Sequence, residues 1–192
     1  MRRFENKVVI VTGAGIGIGF EIAKQFANEG ASVVLNDLDK ELTANAAQAI
    51  HDSGGKCKGI AGDASNVTFI HELVDHAVLH YGKIDIVVPN AGITLFDSFL
   101  NYTEEKLSKV IQLNIVGSFF LLQAASKVMI KNKTKGKLIL MSSVTGHQAH
   151  KDLAAYGLTK AALEMLAKSL VIELSPYGIN INAIAPGATI TE

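Results

Sequence analysis

The sequence predicts a single-domain α/β fold in which helices cover both faces of one doubly wound parallel sheet. Three observations support this. Short apolar, β-branched runs alternate with longer helical patterns, which is typical of βαβ units. The short runs are almost continuously apolar, as expected for strands buried on both faces. The 192 residues provide one substantial core but are too few for two ordinary domains, so residues 1–192 are expected to form one unit.

Each predicted strand is a short apolar run, and each predicted helix is a longer segment that follows it. The strands are Lys7–Thr12, Ser32–Asn36, Lys56–Ala61, Ile84–Pro89, Lys137–Ser142 and Ile179–Ala185. The helices are Ile18–Glu29, Lys40–Ser53, Val67–Tyr81, Glu104–Lys131 and Leu153–Ser175. Glycines that favour helix ends follow the first three helices, at Gly30, Gly54 and Gly82. The order predicts two halves of one sheet with a switch point between the first and fourth strands.

Composition excludes several classes of protein. Lys plus Arg equals Asp plus Glu at 18 each, which argues against a protein that binds nucleic acid or a membrane surface. Cys57 is the only cysteine, so an intrachain disulfide is excluded and a reducing compartment is favoured. No run reaches the roughly 18 uninterrupted apolar residues of a membrane span. The apolar run after Arg3 is too short for a signal peptide and leads into a glycine-rich turn. We therefore expect a cytoplasmic protein.

The predicted helix from Glu104 is apolar on almost every side between Ile111 and Leu122. A helix of this kind needs cover beyond its own sheet, which a second subunit would supply. We therefore expect a homodimer or homotetramer. The alternative is an ordinary buried helix.

A glycine-rich turn joins the first predicted strand to the first predicted helix. Gly13, Gly17 and Gly19 lie in it, and Ile18 opens the helix. Glycine permits positive φ and lets a pyrophosphate approach the backbone, while the helix N-terminus offers free N–H groups and a positive dipole end. The pattern predicts a dinucleotide site. A purely structural turn would be favoured if the glycines stood alone.

Asp37 follows the second predicted strand, 24 residues after Gly13. A carboxylate at this place accepts hydrogen bonds from the ribose hydroxyls of an adenosine and repels a 2′-phosphate. Positions 14–16, 36 and 38 carry no Arg or Lys to neutralise such a phosphate. These features predict NAD as the cofactor. The alternative is an aspartate that caps a turn or helix, since Asp39 lies nearby.

Ser143, Tyr156 and Lys160 form the pattern Ser-x12-Tyr-x3-Lys. Tyr156 and Lys160 are four residues apart, so they share one face of a helix. A phenol becomes a useful base near neutral pH only when nearby positive charge stabilises its phenolate, and the Lys160 ammonium could supply that charge. Joined to the glycine turn, the pattern predicts a nicotinamide-dependent oxidoreductase. Ser142 is an alternative to Ser143 but lacks the 13-residue offset from Tyr156.

On these motifs the chain resembles the compact branch of the short-chain dehydrogenase/reductase family, from Val8 to the last residue. The segment Thr12–Gly19 matches that branch's Thr-Gly-x3-Gly-x-Gly, and Ser143, Tyr156 and Lys160 match its catalytic spacing. Asn114 falls at the family's fourth catalytic position. The resemblance implies a Rossmann-like fold and hydride transfer between NAD and a small-molecule alcohol or carbonyl substrate.

The resemblance also assigns further cofactor contacts. Asp63 and Ala64 match the segment that contacts adenine. The family's Asn-Asn-Ala-Gly appears as Asn90, Ala91 and Gly92, with Pro89 in place of the first asparagine, which puts only local hydrogen bonding in doubt. Pro186 and Gly187 match the motif beside the nicotinamide carboxamide, with Thr189 and Thr191 as candidate contacts.

The family's mechanism gives each catalytic residue a role. Tyr156 would move the hydroxyl proton, Ser143 would hold the substrate oxygen, and Asn114 would anchor water in a proton relay. Lys160 would hold the nicotinamide ribose and stabilise the phenolate. A non-catalytic dinucleotide-binding scaffold or sensor is an alternative, although the intact catalytic set speaks against it. An epimerase or dehydratase of the extended branch is disfavoured by the glycine spacing.

The remaining features are weaker. His71, His76 and His80 share a predicted helix, but the spacing of His71 and His76 does not suit zinc, and we predict no metal site. His147 and His150 are either substrate contacts or solvated loop residues. The polar loop from Gly146 to Asp152 favours a sugar or polyol, with a 3-oxoacyl thioester nearly as well supported. Because relatives continue beyond the position of Glu192, we expect a longer natural protein or a fragment, with an exposed edge at the last strand.

Overall fold

The computed structural model describes residues 2–191, and its six strands form one parallel sheet in the order β3-β2-β1-β4-β5-β6. The strands are β1 (Val8–Thr12), β2 (Ser32–Asp37), β3 (Lys56–Ala61), β4 (Ile86–Val88), β5 (Lys137–Met141) and β6 (Asn180–Ile184). The fold class and the switch point between β1 and β4 are confirmed. Met1 and Glu192, the residue at which we expected an early end, lie outside the described residues.

The sheet separates two apolar cores because alternate side chains of a strand point to opposite faces. On β1, Ile10 joins one core, whereas Val9 and Val11 join the other. Val34 and the pair Val33 and Leu35 divide in the same way on β2. All six side chains are almost completely buried, which explains the continuous apolar runs in the sequence.

Apart from the predicted helix Glu104–Lys131, the helices agree with their predicted bounds to within about a residue. They are α1 (Gly17–Asn28), α2 (Lys40–Asp52), α3 (Val67–Tyr81), α4 (Glu104–Ile111), α5 (Ser118–Lys131) and α6 (Ala154–Leu174). Side-chain caps begin three of them, because Asp39, Asn66 and Thr103 accept hydrogen bonds from first-turn amides of α2, α3 and α4. Gly82 ends α3 in the left-handed conformation.

The segment Glu104–Lys131 is not the single regular α-helix that we predicted. A π-helical stretch, Gln112–Gly117, lies between α4 and α5 and buries Asn114 and Gly117. Such stretches often occur at functional sites. The whole segment is long and apolar enough to cross a membrane, but the core helices of soluble proteins also meet this criterion. Half of its most apolar 18-residue window is buried within the fold.

β6 forms one edge of the sheet and is only partly covered. Ile181 is buried, whereas Asn180, Asn182 and Ile184 are exposed. The expectation of an exposed last strand therefore holds for the described residues. The prediction of cover on both faces fits β1 and β2 but not β6.

Candidate active site

The turn between β1 and α1 requires glycine for two different reasons, a positive φ at one position and close packing at another. Gly17 has a φ of +61°, a conformation that residues with a Cβ rarely adopt. Gly19 is fixed by packing, since a Cβ there would lie 2.2 Å from the Gly13 carbonyl oxygen and 2.4 Å from Asn90 Nδ2. The Asn90 amide donates to the carbonyls of Thr12 and Gly13 at 3.0 and 2.8 Å. Asn90 therefore holds the turn from the end of β4.

The residues of this turn fit the pyrophosphate of a dinucleotide. Ile16, the N-cap residue of α1, makes no side-chain capping hydrogen bond, and the first turn of the helix has no acidic residue. Its first amides thus remain available to an anion, which the helix dipole also favours. A Cβ at Gly17 would meet only the Thr191 side chain, at 3.5 Å or more, so the approach to the backbone is open. Ile18, in the first turn, is half-buried.

Asp37, at the end of β2, is directed toward the same turn. Its Oδ2 accepts a hydrogen bond from the Gly15 amide at 2.9 Å, and its Oδ1 accepts one from the Asp39 amide at 3.3 Å. The side chain is only half-buried. The carboxylate is therefore held beside the glycine turn, where it could also accept from a ribose. Asp39, not Asp37, caps α2.

The loop after β3 packs against the π-helical stretch. Asp63 accepts the Ser65 amide at 2.8 Å, and Ala64 is buried. A Cβ at Gly117 would lie 2.1 Å from the Ala64 carbonyl oxygen, and Gln112 donates to the Ser65 carbonyl at 2.9 Å. The segment expected to contact adenine is thus in direct contact with the segment that carries Asn114.

Lys160 is the buried cation of the site. Its Nζ donates to the Met141 carbonyl at 2.7 Å and lies 5.3 Å from the centroid of the Tyr156 ring. Burial lowers the pKa of Lys160 to about 8. A Cβ at Gly92 would lie 3.5 Å from Nζ and 3.2 Å from Asn114 Oδ1, so this glycine leaves room between two of the predicted catalytic residues.

Ser143 begins a short 3₁₀ turn, Val144–Gly146, directly after β5. It is extended and buried, and its Oγ accepts a hydrogen bond from the Thr145 amide at 3.2 Å. A Cβ at Gly157, the residue after Tyr156, would lie 2.8 Å from the Thr145 carbonyl oxygen. The segments that carry Ser143 and Tyr156 therefore touch.

Asn114 is fully buried and already bonded to protein. Its Oδ1 accepts from the Ile93 amide at 2.8 Å, and its Nδ2 donates to the Ile93 carbonyl and to Thr159 Oγ1 at 3.0 and 3.1 Å. Both amide hydrogens are thereby used. A relay water would have to donate to Oδ1 or to the main-chain carbonyl of Asn114.

The segment after β6 reaches both halves of the site. The Val144 amide donates to the Pro186 carbonyl at 3.1 Å, and Gly187 lies beside Val144. Thr189 is exposed and donates to the Gly187 carbonyl at 3.2 Å, and Thr191 lies against Gly17. This segment thus lies between the turn that carries Ser143 and the glycine turn of α1.

Sequence reasoning missed Glu164, which stands one helical turn after Lys160 on α6. Its Oε1 lies 2.6 Å from Ser142 Oγ and 2.8 Å from His147 Nε2. The His147 side chain is 59% exposed and contacts Glu164 through Nε2. A carboxylate four residues after Lys160 was the available signal, since that spacing shares a helical face. In residues 2–191, no cluster of three or more His, Cys, Asp or Glu side chains could hold a metal ion.

Known proteins share this sequence and architecture. Residues 7–192 match the short chain dehydrogenase family. The chain is 35% identical to a diacetyl reductase [(S)-acetoin forming] of Staphylococcus epidermidis, over 97% of this chain and 73% of that enzyme. It is 37% identical to galactitol 2-dehydrogenase of Agrobacterium fabrum, over 96% of this chain and 71% of that enzyme. The structure of NAD+-bound xylitol dehydrogenase superposes with a TM-score of 0.92 at 32% identity, covering 96% of this chain and 71% of that protein.

Proposed function

The chain belongs to the short-chain dehydrogenase family, oxidoreductases that act on alcohols and carbonyl compounds with a nicotinamide dinucleotide, and we propose that it is an NAD-dependent member that uses Tyr156 as acid and base. The observation that carries this proposal is the position of Lys160. Its buried ammonium stands beside the Tyr156 ring, at the junction of β5, the loop after β4 and α6. This arrangement places a buried positive charge next to the side chain that we propose moves the proton.

The residues divide the chemistry between them. NAD held at this site would supply the hydride chemistry, exchanging a hydride with the carbinol or carbonyl carbon of the substrate. Tyr156 removes the hydroxyl proton during oxidation and donates it during reduction. Ser143 donates a hydrogen bond to the substrate oxygen. Lys160 stabilises the phenolate and holds the nicotinamide ribose, and Asn114 anchors the water that connects the proton to solvent.

The remaining cofactor contacts follow the elements that meet at the carboxyl ends of the strands. Gly13, Gly17, Ile18 and Gly19 would hold the pyrophosphate, and Asp63 and Ala64 would contact the adenine. Asn90, Ala91 and Gly92 would lie on the cofactor side of the end of β4, and Pro186, Gly187 and Thr189 would hold the nicotinamide carboxamide. Asp37 selects NAD over NADP, because its carboxylate would repel a 2′-phosphate. The NAD+-bound state named for the xylitol dehydrogenase relative supports the same cofactor.

We assign a hydroxylated small molecule, a sugar or polyol, as the substrate class. The loop from His147 to Lys151 is exposed and polar, which suits a substrate that brings its own hydroxyl groups. The names of the galactitol and xylitol dehydrogenase relatives support a polyol. A 3-oxoacyl thioester is the competing class. The enzyme acts in the cytoplasm as a homodimer or homotetramer.

An absorbance assay tests the function directly. Purified protein is mixed with NAD and a panel of polyols, simple secondary alcohols and steroids, and NADH formation is followed at its absorbance band. Reduction of ketoses, diacetyl and 3-oxoacyl thioesters is followed with NADH. We expect turnover with at least one polyol or ketose and a preference for NAD. NADH binding without turnover of any compound would instead support a non-catalytic scaffold.

A further inference from the structure

Helix α6 carries a carboxylate that accepts a hydrogen bond at one end of the turn bearing Ser143 and contacts a histidine at the other end. Glu164 Oε1 lies 2.6 Å from Ser142 Oγ, directly before Ser143, and 2.8 Å from His147 Nε2, directly after the turn. Ser142 Oγ is also 3.0 Å from the Lys160 carbonyl, but the carboxylate is the nearer acceptor. One oxygen atom thus joins two residues that enclose Ser143 and the 3₁₀ turn.

The packing leaves this carboxylate little freedom. The Glu164 side chain is only 16% exposed, and Ser142 is buried. A Cβ at Gly146 would lie 3.0 Å from Glu164 Oε1 and 3.0 Å from Ser142 Oγ, so the backbone of the turn rests on this pair. Hydrogen bonds to an ionised group are shorter and stronger than neutral ones, and partial burial strengthens them further.

The connection reaches the residues of the proposed reaction from both sides. Glu164 is four residues after Lys160 and eight after Tyr156, so all three lie along one face of α6. Ser143, in contrast, leaves the end of β5 on the irregular turn. A bond between helix and turn therefore ties the segment that carries Ser143 to the helix that carries Tyr156. The Ser142 amide, bonded to the Ile184 carbonyl at 2.8 Å, fixes the other side.

We propose that Glu164 is a positioning residue, which sets the place of the Ser143 hydroxyl relative to Tyr156 by holding Ser142 and His147. This inference rests on the proposed dehydrogenase function. Glu164 touches neither the substrate oxygen nor the cofactor in this role. Its effect should fall on kcat, because a displaced hydroxyl weakens stabilisation of the reacting oxygen while the cofactor cradle stays intact.

The test compares Glu164→Ala, Glu164→Gln and Ser142→Ala with the wild type. Glu173→Gln is the matched control, since Glu173 is an exposed glutamate of the same helix. We measure kcat, KM for the alcohol, the Kd of NADH and the Tm for each variant. Hydrogen exchange of residues 143–150 is followed without substrate, so that one readout does not depend on turnover.

We expect Glu164→Ala to lower kcat by about 10- to 100-fold, which is the size of the rate loss caused by a misplaced reacting group. Glu164→Gln, which keeps an oxygen for the Ser142 hydroxyl, should recover part of this loss, and Ser142→Ala should lie between the two. The Kd of NADH and all properties of Glu173→Gln should match the wild type. Exchange of residues 143–150 should rise in Glu164→Ala and remain slow in the control.

Two outcomes would overturn the proposal. Unchanged exchange and unchanged kcat in Glu164→Ala would show that the turn keeps its place without this carboxylate. A fall in kcat accompanied by weaker NADH binding and a lower Tm would show a general structural role. An inactive wild type would instead overturn the proposed function, and the exchange data would still decide whether Glu164 holds the turn.

Discussion

Lys160 lies where three distant parts of the chain meet, and its surroundings explain how a buried ammonium can remain useful. The Met141 carbonyl accepts one of its protons, the Tyr156 ring lies beside it, and Gly92 leaves space next to it. Burial lowers its pKa to about 8, so the charge is largely retained at neutral pH. A charge kept under partial desolvation acts more strongly on its neighbours than one in water.

The role of the phenol can be tested by removing its oxygen. Tyr156→Phe should lower kcat by about 10²- to 10⁴-fold, the contribution of a positioned acid–base group, while the Kd of NADH stays near the wild-type value. Lys160→Ala should lower kcat and also weaken NADH binding, because Lys160 would both stabilise the phenolate and hold the ribose. Tyr177→Phe, at an exposed tyrosine beyond α6, is the control. Near-normal turnover in Tyr156→Phe would refute the mechanism.

Cofactor choice should depend on Asp37 and not on Asp39. Asp37→Ala removes the carboxylate beside the glycine turn and should raise the ratio of kcat/KM for NADP to that for NAD by about tenfold or more, or about 1.4 kcal/mol. Asp39→Ala should leave that ratio unchanged and cost about 1 kcal/mol of stability, because Asp39 caps α2. A wild-type preference for NADP would contradict the assignment.

Among the elements, β1 and β4 are joined at their starts by a buried carboxylate. Asp85 accepts the Val8 amide at 2.9 Å and forms ion pairs at 3.1 Å with Lys7 and with Lys83. Burial alone would raise the pKa of Asp85, but the hydrogen bonds from Val8, Lys7 and Lys83 lower it overall. Its main chain also bonds to β1 and to β5. This residue therefore fixes three neighbouring strands in register.

Asp85→Asn should lower the free energy of unfolding by about 1–3 kcal/mol at pH 7. The folded-state pKa lies below the unfolded value, so the stabilisation is present above an unfolded pKa of ~3.9 and is lost as pH falls through the folded value. The difference in free energy of unfolding between wild type and variant, measured by urea unfolding, should thus become smaller in acid. Asp75→Asn, at an exposed site on α3, provides the control. If this difference does not change with pH, the ionised carboxylate of Asp85 is not the source of the stabilisation.

At the scale of the whole molecule, the helical segment from Glu104 to Lys131 presents apolar side chains on more than one side. Leu121, Leu122 and Met129 are buried in the core, whereas Phe119 is 41% exposed and forms an edge-to-face pair with Phe120. Exposed aromatic side chains beside a packed helix often mark an interface between proteins.

We expect light scattering to find a dimer or tetramer at micromolar concentration. Phe119→Glu should shift the population toward monomer, because a carboxylate would be desolvated in the interface. Leu79→Glu is the control, since Leu79 is an exposed leucine of α3. A monomeric wild type would refute the prediction, and equal effects of both substitutions would indicate general destabilisation.

Much of the fold and part of the site could be predicted from the sequence because their determinants are local. The alternation of strands and helices follows from periodicity. Gly13 and Gly17 follow from positive φ values that few other residues permit, and Gly19 follows from the close approach of the Gly13 carbonyl within the same turn. The spacing of Tyr156 and Lys160 suffices to place both on one face of a helix. The family and the class of chemistry therefore follow from the sequence alone.

Only the tertiary structure decided which groups meet across the sheet. The π-helical stretch at Asn114 has no sequence signature of its own, because it depends on packing against Ala64 and on the bonds to Ile93. Ser142, which donates to Glu164, and His147, which contacts it, are 22 and 17 positions away in the chain. The spacing of Glu164 from Lys160 places it on the same helical face but does not indicate that these two residues meet it. Likewise, the carbonyl that accepts from Lys160 belongs to Met141, a residue whose side chain carries no chemical signal. Contacts of this kind arise from the way β5, α6 and their connecting loop pack together. A pattern along the sequence does not encode which residues of these segments come within bonding distance.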